Sequence, residues 1–262
     1  MRLSARWVAL ALCVVELGAV AAASAEPIIK PRKYHGPIPQ SMAWLRVGFM
    51  GDASNEEMNT YLDGLIQPPF THDTEDFGTA LVFDAGYARK PHPQFAFRLN
   101  ASMAFLSSTS TGNKPTDDAD SLLTVVDYSR DFKSDLIVLE ASGMYFFSDA
   151  AVKEFQSYIG GGFSLGIPHE SFEETQIDID TGEVFRTIET SEWGFSAGVH
   201  AVLGAIYYLT NTWGITTEGR LQLMEGKYDQ LQAPDENGVP EDVSFVIDYS
   251  GFYVTVGVLW GF

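Results

Sequence analysis

Basic residues, cysteine and long apolar runs are scarce in this sequence. Its 262 residues include 16 lysines and arginines against 35 aspartates and glutamates, a formal net charge of −19. Recognition of nucleic-acid phosphates needs a basic surface, so this imbalance excludes a nucleic-acid-binding role. Cys13 is the single cysteine, which excludes disulfide frameworks and cysteine-based metal sites. The apolar run near the amino terminus is interrupted by Glu16 and is shorter than the roughly 20 residues of a membrane-spanning helix.

The amino-terminal segment is instead typical of an export signal. Residues 1–25 combine two early arginines, a short apolar run and a small-residue stretch that ends at Ala25. We expect cleavage after Ala25, which would also remove Cys13. Residues 26–41 are rich in proline and lack periodicity, so we expect an extended tail in the periplasm.

From residue 42 onward the chain repeats one pattern, the alternation of apolar with small or polar residues at a period of two. Eight segments show it: about 42–53, 78–89, 95–110, 135–147, 154–167, 194–209, 213–226 and 249–262. No segment has a convincing helical period. Short connections alternate strictly with four long acidic ones, at about 54–77, 111–134, 168–192 and 227–248. This order predicts an eight-stranded antiparallel up-and-down β-barrel over residues 42–262, with all tight turns at one end.

The two faces of each segment differ in bulk. In the third segment one face carries Phe95, Phe97, Leu99, Ala101, Met103 and Phe105, and the other carries Ala96, Arg98, Asn100, Ser102 and Ala104. The interior of an eight-stranded barrel is too narrow for a column of phenylalanines, so we expect the bulky face to meet lipid, as in a transmembrane β-barrel. A soluble lipocalin-like barrel stays open as an alternative, because alternation alone is symmetric under exchange of the faces.

Aromatic residues gather near the ends of the segments. They are Trp44, Tyr87, Phe95, Tyr145, Phe147, Tyr207, Tyr208, Trp213 and Trp260. We expect them to form belts at two membrane interfaces.

The last segment carries the most specific pattern. It alternates Val254, Val256, Val258, Trp260 and Phe262. This ending resembles the small outer-membrane β-barrels of Gram-negative bacteria, the family of the OmpA transmembrane domain and the OmpX- and OmpW-like proteins. The resemblance implies that these five residues are read by the outer-membrane assembly machinery. It also implies a monomer in the cell outer membrane, in contact with lipid and lipopolysaccharide, with periplasmic termini, extracellular loops and no cofactor.

Six charged residues are predicted to lie inside the barrel if each apolar face points outward. They are Arg46, Asp84, Arg98, Glu140, Glu218 and Arg220. Three positive and three negative charges favour a hydrogen-bonded plug over an open pore, because a compensated set costs less to bury than isolated ions. A gate in which the pairs exchange partners is the open alternative. Tyr158, Ser164 and His200 are predicted to face inward too.

Three other motifs have weaker interpretations. His169-Glu170-Ser171 is similar to the site of outer-membrane lipid A deacylase, a remote enzymatic alternative that lacks the wider motif. Asp178-Ile179-Asp180-Thr181-Gly182-Glu183 lacks ligands of a calcium loop and is predicted to form a hairpin tip. The glycines 160–162 precede no helix, so they favour close strand packing over a phosphate loop. We therefore assign no catalytic residue and no metal site.

The negative charge is confined to the four long connections. They contain 25 acidic and 5 basic residues, whereas the rest of the chain after residue 25 is balanced. We hypothesise that divalent cations bridge this acidic surface to lipopolysaccharide. The expected function is structural, in envelope integrity or surface interaction, and the alternative is an OmpW-like narrow channel for small or hydrophobic solutes.

Overall fold

The computed structural model describes residues 39–262, apart from 52, 65, 67–69, 71, 118–122, 148–154 and 235–239. The predicted export signal and nearly all of the predicted tail lie outside these residues. The strands are β1 (Ser41–Gly51), β2 (His72–Thr74), β3 (Ala80–His92), β4 (Phe95–Asp117), β5 (Leu123–Phe146), β6 (Phe155–Asp178), β7 (Val184–Trp193), β8 (Ser196–Tyr208), β9 (Trp213–Pro234), β10 (Pro240–Asp248) and β11 (Gly251–Gly261). Helix α1 spans Glu56–Gly64. It is not long and apolar enough to cross a membrane, and the described residues contain no helix that is.

Eight strands close into an antiparallel ring in the order β1, β3, β4, β5, β6, β8, β9, β11 and back to β1. The predicted eight-stranded up-and-down barrel is confirmed. The register partners of Leu45 can be followed from strand to strand around the ring. In one direction, through β3, they end at Glu225 of β9, and in the other, through β11, they end at Ile215 of the same strand. These two residues are ten positions apart on one strand, so the barrel has a shear of ten. A stagger of this kind requires strands tilted from the barrel axis by about 35–45°.

The outward face is an apolar band. On β4, exposed apolar residues run from Phe95 to Phe105, about the length of strand that crosses the hydrocarbon of a membrane. Charged residues point outward beyond both edges of the band. Arg89 lies at the edge nearer the short turns, and Lys133 and Glu225 lie at the opposite edge. This apolar band fits lipid, which excludes the lipocalin-like alternative.

The residues predicted to form two aromatic belts lie at one end of the barrel only, the short-turn end, and the assignment of two of them to the outer face is wrong. Tyr87, Phe95, Tyr145, Phe147, Tyr207, Trp213 and Trp260 are exposed on the outward face. Trp44 and Tyr208, predicted in the belt, are instead 7 % and 6 % exposed and lie inside the barrel. Strand parity explains both: Trp44 shares a face with inward Arg46, and Tyr208 must oppose its outward neighbour Tyr207.

The long connections at the other end, named here the long-strand end, consist largely of strand. The barrel strands β4, β5, β6 and β9 are 22 to 24 residues long and continue past the apolar band. Beyond it, β7 pairs with β6, β10 with β9 and β2 with β4. The connections predicted as loops are therefore mainly hairpin extensions, because the same alternation persists there with polar residues on the outer face.

The predicted hairpin tip at 178–183 is confirmed. The Asp178 side chain accepts hydrogen bonds from the backbone N–H groups of Asp180 and Thr181, at 2.7 and 3.0 Å. Gly182 has φ of 70°, a left-handed conformation that glycine adopts without strain. The carboxylate that suggested a calcium ligand thus closes a turn.

Helix α1 contradicts the expectation of no helix. Asn55 stands at its N-cap, Glu56 and Glu57 follow in the first turn, and Met58 and Leu62 are buried one turn apart. Acidic residues at the amino terminus favour a helix through its dipole. Only two apolar residues share the buried face, and this short pattern was missed among the polar residues of the 54–77 connection.

Two apolar clusters fill the barrel at different depths. The short-turn cluster consists of Met42, Trp44, Ala88, Ala96, Met144, Phe146, Tyr158, Val202, Ile206, Tyr208 and Leu259. The long-strand cluster includes Met50, Met58, Leu62, Phe77, Leu106, Phe132, Leu136, Phe172, Ile188, Met224, Tyr228, Ile247, Tyr249 and Tyr253. The predicted charged residues lie on the strand segments between them.

Candidate functional site

The structure brings all six predicted interior charges into one ion-pair network. Glu218 binds two arginines, with 2.9 Å between its Oε2 and Arg46 Nη1 and 2.8 Å to Arg98 Nη1. Arg46 Nε also lies 2.7 Å from Asp84 Oδ1, and Arg98 Nη2 lies 3.1 Å from Glu140 Oε2.

Arg220 completes the network from β9. It donates a hydrogen bond to Glu140 of β5, and its Nη2 lies 3.6 Å from Asp84 Oδ2 of β3. Each arginine thus contacts two carboxylates, and each carboxylate contacts two arginines. All six residues are at most 4 % exposed, so charge balance within the set replaces contact with water.

Neutral side chains donate further hydrogen bonds to the carboxylates of the network. Asn100 donates to Asp84 at 2.7 Å and to Glu140 at 3.0 Å, and Tyr158 donates to Glu218 at 2.7 Å. Trp44 Nε1 donates to Asp84 and Asn100, and its ring lies under Arg46 at 5.2 Å. Trp44 is therefore held inside the barrel by the hydrogen bonds of its indole N–H, which its classification as an apolar residue does not predict.

Inward glycines make room for these aromatic rings. A Cβ on Gly86 would lie 2.3 Å from the Trp44 ring, and one on Gly204 would lie 2.3 Å from the Tyr158 ring. The glycines 160–162 bring β6 close to β5, since a Cβ on Gly162 would lie 1.9 Å from the Ala141 carbonyl oxygen. This close strand packing is the one predicted for the run.

His200 lies inside the barrel, as predicted, and bridges two serines. Its Nε2 is 2.8 Å from the Ser142 hydroxyl and its Nδ1 is 2.8 Å from the Ser164 hydroxyl. Both ring nitrogens are thus engaged in hydrogen bonds across β5, β6 and β8. This geometry fits an inward polar residue satisfied by its neighbours.

The His169-Glu170-Ser171 motif does not form a shared site. His169 and Ser171 lie on the outer face, where the His169 ring packs at a tilt against Trp193 with 4.5 Å between the ring centroids. Glu170 points inward, because consecutive strand residues alternate between faces. The similarity to the lipid A deacylase site therefore fails on geometry.

Glu170 belongs instead to a cluster above the apolar band that the sequence analysis did not identify. Its Oε1 accepts hydrogen bonds from Ser134 at 2.6 Å, from Tyr228 at 3.1 Å and from Tyr249. Burial raises the pKa of Glu170 to about 7, and the three hydroxyl donors only partly oppose this effect. Glu170 thus titrates near neutral pH, unlike an exposed glutamate.

A second charged cluster lies farther out on the same inward face. Lys114, Arg130 and Glu174 come from β4, β5 and β6, and Glu174 contacts both cations. Burial raises the pKa of Glu174, but Arg130 and Lys114 outweigh burial and lower it overall. The sequence signal for this cluster is the alternation that continues into the 111–134 connection. It places Lys114 and Arg130 on the inward face once these residues are recognised as strand.

The residues of the predicted assembly signal lie on the outer face. Val254, Val256, Val258, Trp260 and Phe262 are all exposed. Trp260 stacks on Trp213 at 6.1 Å and lies 5.3 Å from Phe262, which places this strand end in the aromatic belt. Among the described residues, no three histidine, aspartate or glutamate side chains come together as metal ligands.

The sequence matches no known family model and no curated protein. The structure is similar to the outer-membrane protein OprG of Pseudomonas aeruginosa, with 13 % identity, a TM-score of 0.47 and coverage of 87 % of this chain and 99 % of that one. Neisserial surface protein A has 9 % identity, a TM-score of 0.39 and coverage of 85 % and 96 %. The outer-membrane protease OmpT of Escherichia coli has 12 % identity, a TM-score of 0.38 and coverage of 85 % and 96 %.

At these identities the likeness concerns the fold alone, and a fold by itself fixes no activity. The class of protein follows from the geometry. An even-numbered closed barrel with short turns at one end, an apolar outer band, an aromatic belt and a charged network in its interior is a transmembrane β-barrel of the outer-membrane type.

Proposed function

We propose that this chain is a monomeric outer-membrane barrel with a closed lumen, and that it acts in envelope integrity or surface interaction rather than in catalysis. The observation that carries the proposal is the ion-pair network. Its six charges compensate one another across the lumen, so that transport would require breaking buried pairs.

The filling of the lumen on both sides of the network supports closure. The short-turn cluster blocks one mouth with Phe146, Tyr158 and Tyr208, and the long-strand cluster blocks the other with Phe132, Phe172 and neighbouring residues. Eight strands leave space for little more than side chains. The resting barrel is therefore closed by side chains of its own strands.

The orientation of the barrel in the membrane is inferred from the predicted export signal and from the different lengths of the connections at its two ends. The chain would be exported through residues 1–25, cleaved after Ala25 and recognised by the assembly machinery through its last strand. The short-turn end with Ser41 and Gly261 would then face the periplasm, and the long-strand end would face the outside. Short periplasmic turns and long outer extensions are usual for such barrels.

The length of the strands supports a role at the surface. A transmembrane strand needs about 9–11 residues, whereas β5 and β6 have 24 each. About half of each strand thus projects from the membrane as β-sheet. With 25 acidic and 5 basic residues in the predicted connections, this projection would bind divalent cations between itself and the phosphates of lipopolysaccharide.

Planar-bilayer conductance tests the proposed closure. The purified, heat-modifiable barrel should give no steady single-channel currents. A general porin, reconstituted in a separate bilayer under the same conditions, is the positive control. Steady conductance, or uptake of small or hydrophobic solutes into vesicles that contain the barrel, would favour the OmpW-like conduit and overturn the closed lumen.

A further inference from the structure

Two buried cations lie close together at the projecting end of the barrel, farther out than Glu170. Lys114 and Arg130 are 4 % and 2 % exposed, and they share one carboxylate. Lys114 Nζ lies 2.6 Å from Glu174 Oε1, and Arg130 Nε lies 2.5 Å from Glu174 Oε2. Two buried cations thus face one bonded anion, in contrast to the balanced network inside the membrane.

The Arg130 guanidinium is held on one edge and one face. Its Nε binds Glu174, and its Cζ lies over the Tyr128 ring, 4.3 Å from the ring centroid. Its two terminal nitrogens, Nη1 and Nη2, are buried and have no hydrogen-bond partner among the described residues. A buried charged donor without a partner is costly, and these two nitrogens form the edge that binds oxyanions in a bidentate manner.

The other groups that face this position keep it positive. Gln176 donates to Glu174 at 2.6 Å, and its register partner on β7 is Arg186. Burial lowers the pKa of Lys114, and the charges of Arg130 and Arg186 lower it further against the opposing effect of Glu174. Asp63 of α1 is the second carboxylate near Tyr128. Among these groups, Lys114, Arg130 and Arg186 are cations, and Glu174 and Asp63 are carboxylates.

We propose that Lys114, Tyr128, Arg130 and Glu174 form an oxyanion-binding site, named here the Arg130 site. A carboxylate or phosphate group binds end-on to Nη1 and Nη2 of Arg130, with Lys114 contributing charge. The surrounding extensions are strongly acidic and disfavour anions elsewhere, so the two cations that share Glu174 restrict anion binding to this place. The site adds a specific ligand chemistry to the projecting end and does not depend on whether the lumen conducts.

Calorimetric titration of the purified barrel in detergent tests the site, after a heat-modifiable gel shift has shown that the barrel is folded. The probes are inorganic phosphate and acetate, with sodium chloride at matched ionic strength as the reference. Wild-type barrel should bind at least one of the two probes saturably, and Arg130→Gln should weaken that binding at least tenfold. Phosphate and acetate tested separately show which oxyanion the site prefers.

Lys133→Gln is the matched control, since Lys133 lies on the same strand but is exposed on the outer face. It should bind like wild type. If Arg130→Gln does not fold, Arg130→Lys retains the charge without the bidentate edge and should show the same loss. Equal binding by wild type and the Arg130 variant, or no saturable binding by a folded wild-type barrel, would overturn the site while leaving the closed lumen intact.

Discussion

Arg98 of β4 donates a hydrogen bond to Glu218 of β9 directly across the lumen, with 2.8 Å between Nη1 and Oε2. The two strands are four places apart in the ring of eight in either direction, so this bond joins opposite walls. Both side chains are buried, and each has a second partner in the network. The centre of the barrel is therefore occupied by paired charge.

Removing one member of this network should destabilise the barrel strongly. Arg98→Ala or Glu140→Ala leaves partner charges uncompensated in the interior, and we expect a loss of about 3–5 kcal/mol in the free energy of unfolding. Urea unfolding of the refolded barrel in detergent micelles measures this loss. The matched control is Arg89→Ala, because Arg89 is exposed.

The same variants separate a plug from a gate. If the network is structural, Arg98→Ala and Glu140→Ala lose stability but remain silent in planar bilayers, because the two apolar clusters still fill the mouths. A large change in conductance with unaltered stability would show that the pairs act as a gate.

The stability of the long-strand end should depend on pH through Glu170. Its pKa is about 7 in the folded barrel against 4.5 for the free side chain, so the folded state binds the proton more tightly. The stabilisation is full below pH 4.5 and is lost as the pH rises through 7, a change of about 3 kcal/mol. Glu170→Gln should remove this slope between pH 5 and 8 in urea unfolding. Identical slopes in wild type and variant would contradict the burial effect.

A methyl group at Gly86 should disturb the network through Trp44. A Cβ there would lie 2.3 Å from the indole, whose position is fixed by hydrogen bonds to Asp84 and Asn100. We expect Gly86→Ala to cost about 1–3 kcal/mol and to change tryptophan fluorescence. Gly78→Ala, where a Cβ meets no atom within 4 Å, should leave both unchanged. Equal effects of the two substitutions would show that Gly86 is not required for space.

The last strand should matter more for assembly in cells than for folding. Phe262→Ala should reduce the heat-modifiable fraction in the outer membrane several-fold while refolding from urea into detergent proceeds as in wild type. Tyr207→Ala is a control of similar exposure at the same end of the barrel. Parallel losses in cells and in detergent would indicate a purely structural role for Phe262.

Strand parity and the lipid-facing rule were sufficient to predict the barrel and to place Arg46, Arg98 and Glu218 inside it. Each inward position follows from its own segment, without knowledge of the neighbouring strands. Residue type is misleading at the segment ends: Trp44 and Tyr208 are aromatic, which predicts the belt wrongly, whereas strand parity places both inside.

The partners within the network could not be predicted from single segments. The contact between Asp84 and Arg220 joins strands that are not neighbours, and it depends on the shear of ten that the register creates. The Arg130 site was missed for a different reason. Its residues lie in segments read as loops, where acidic outer positions weakened the apolar alternation that marks a strand.

All of these properties depend on closure of the ring between β1 and β11, where Val47 and Val256 are register partners on the outer face. The most direct measurement is a non-reducing gel of the mature chain carrying the pair Val47→Cys and Val256→Cys. The control is the pair Val47→Cys and Val254→Cys, which lie diagonally across the two strands at about 7–8 Å. A closed barrel predicts rapid intramolecular cross-linking of the first pair in the folded, heat-modifiable protein and little cross-linking of the second. Equal cross-linking of both pairs, or none in the folded protein, would contradict the barrel.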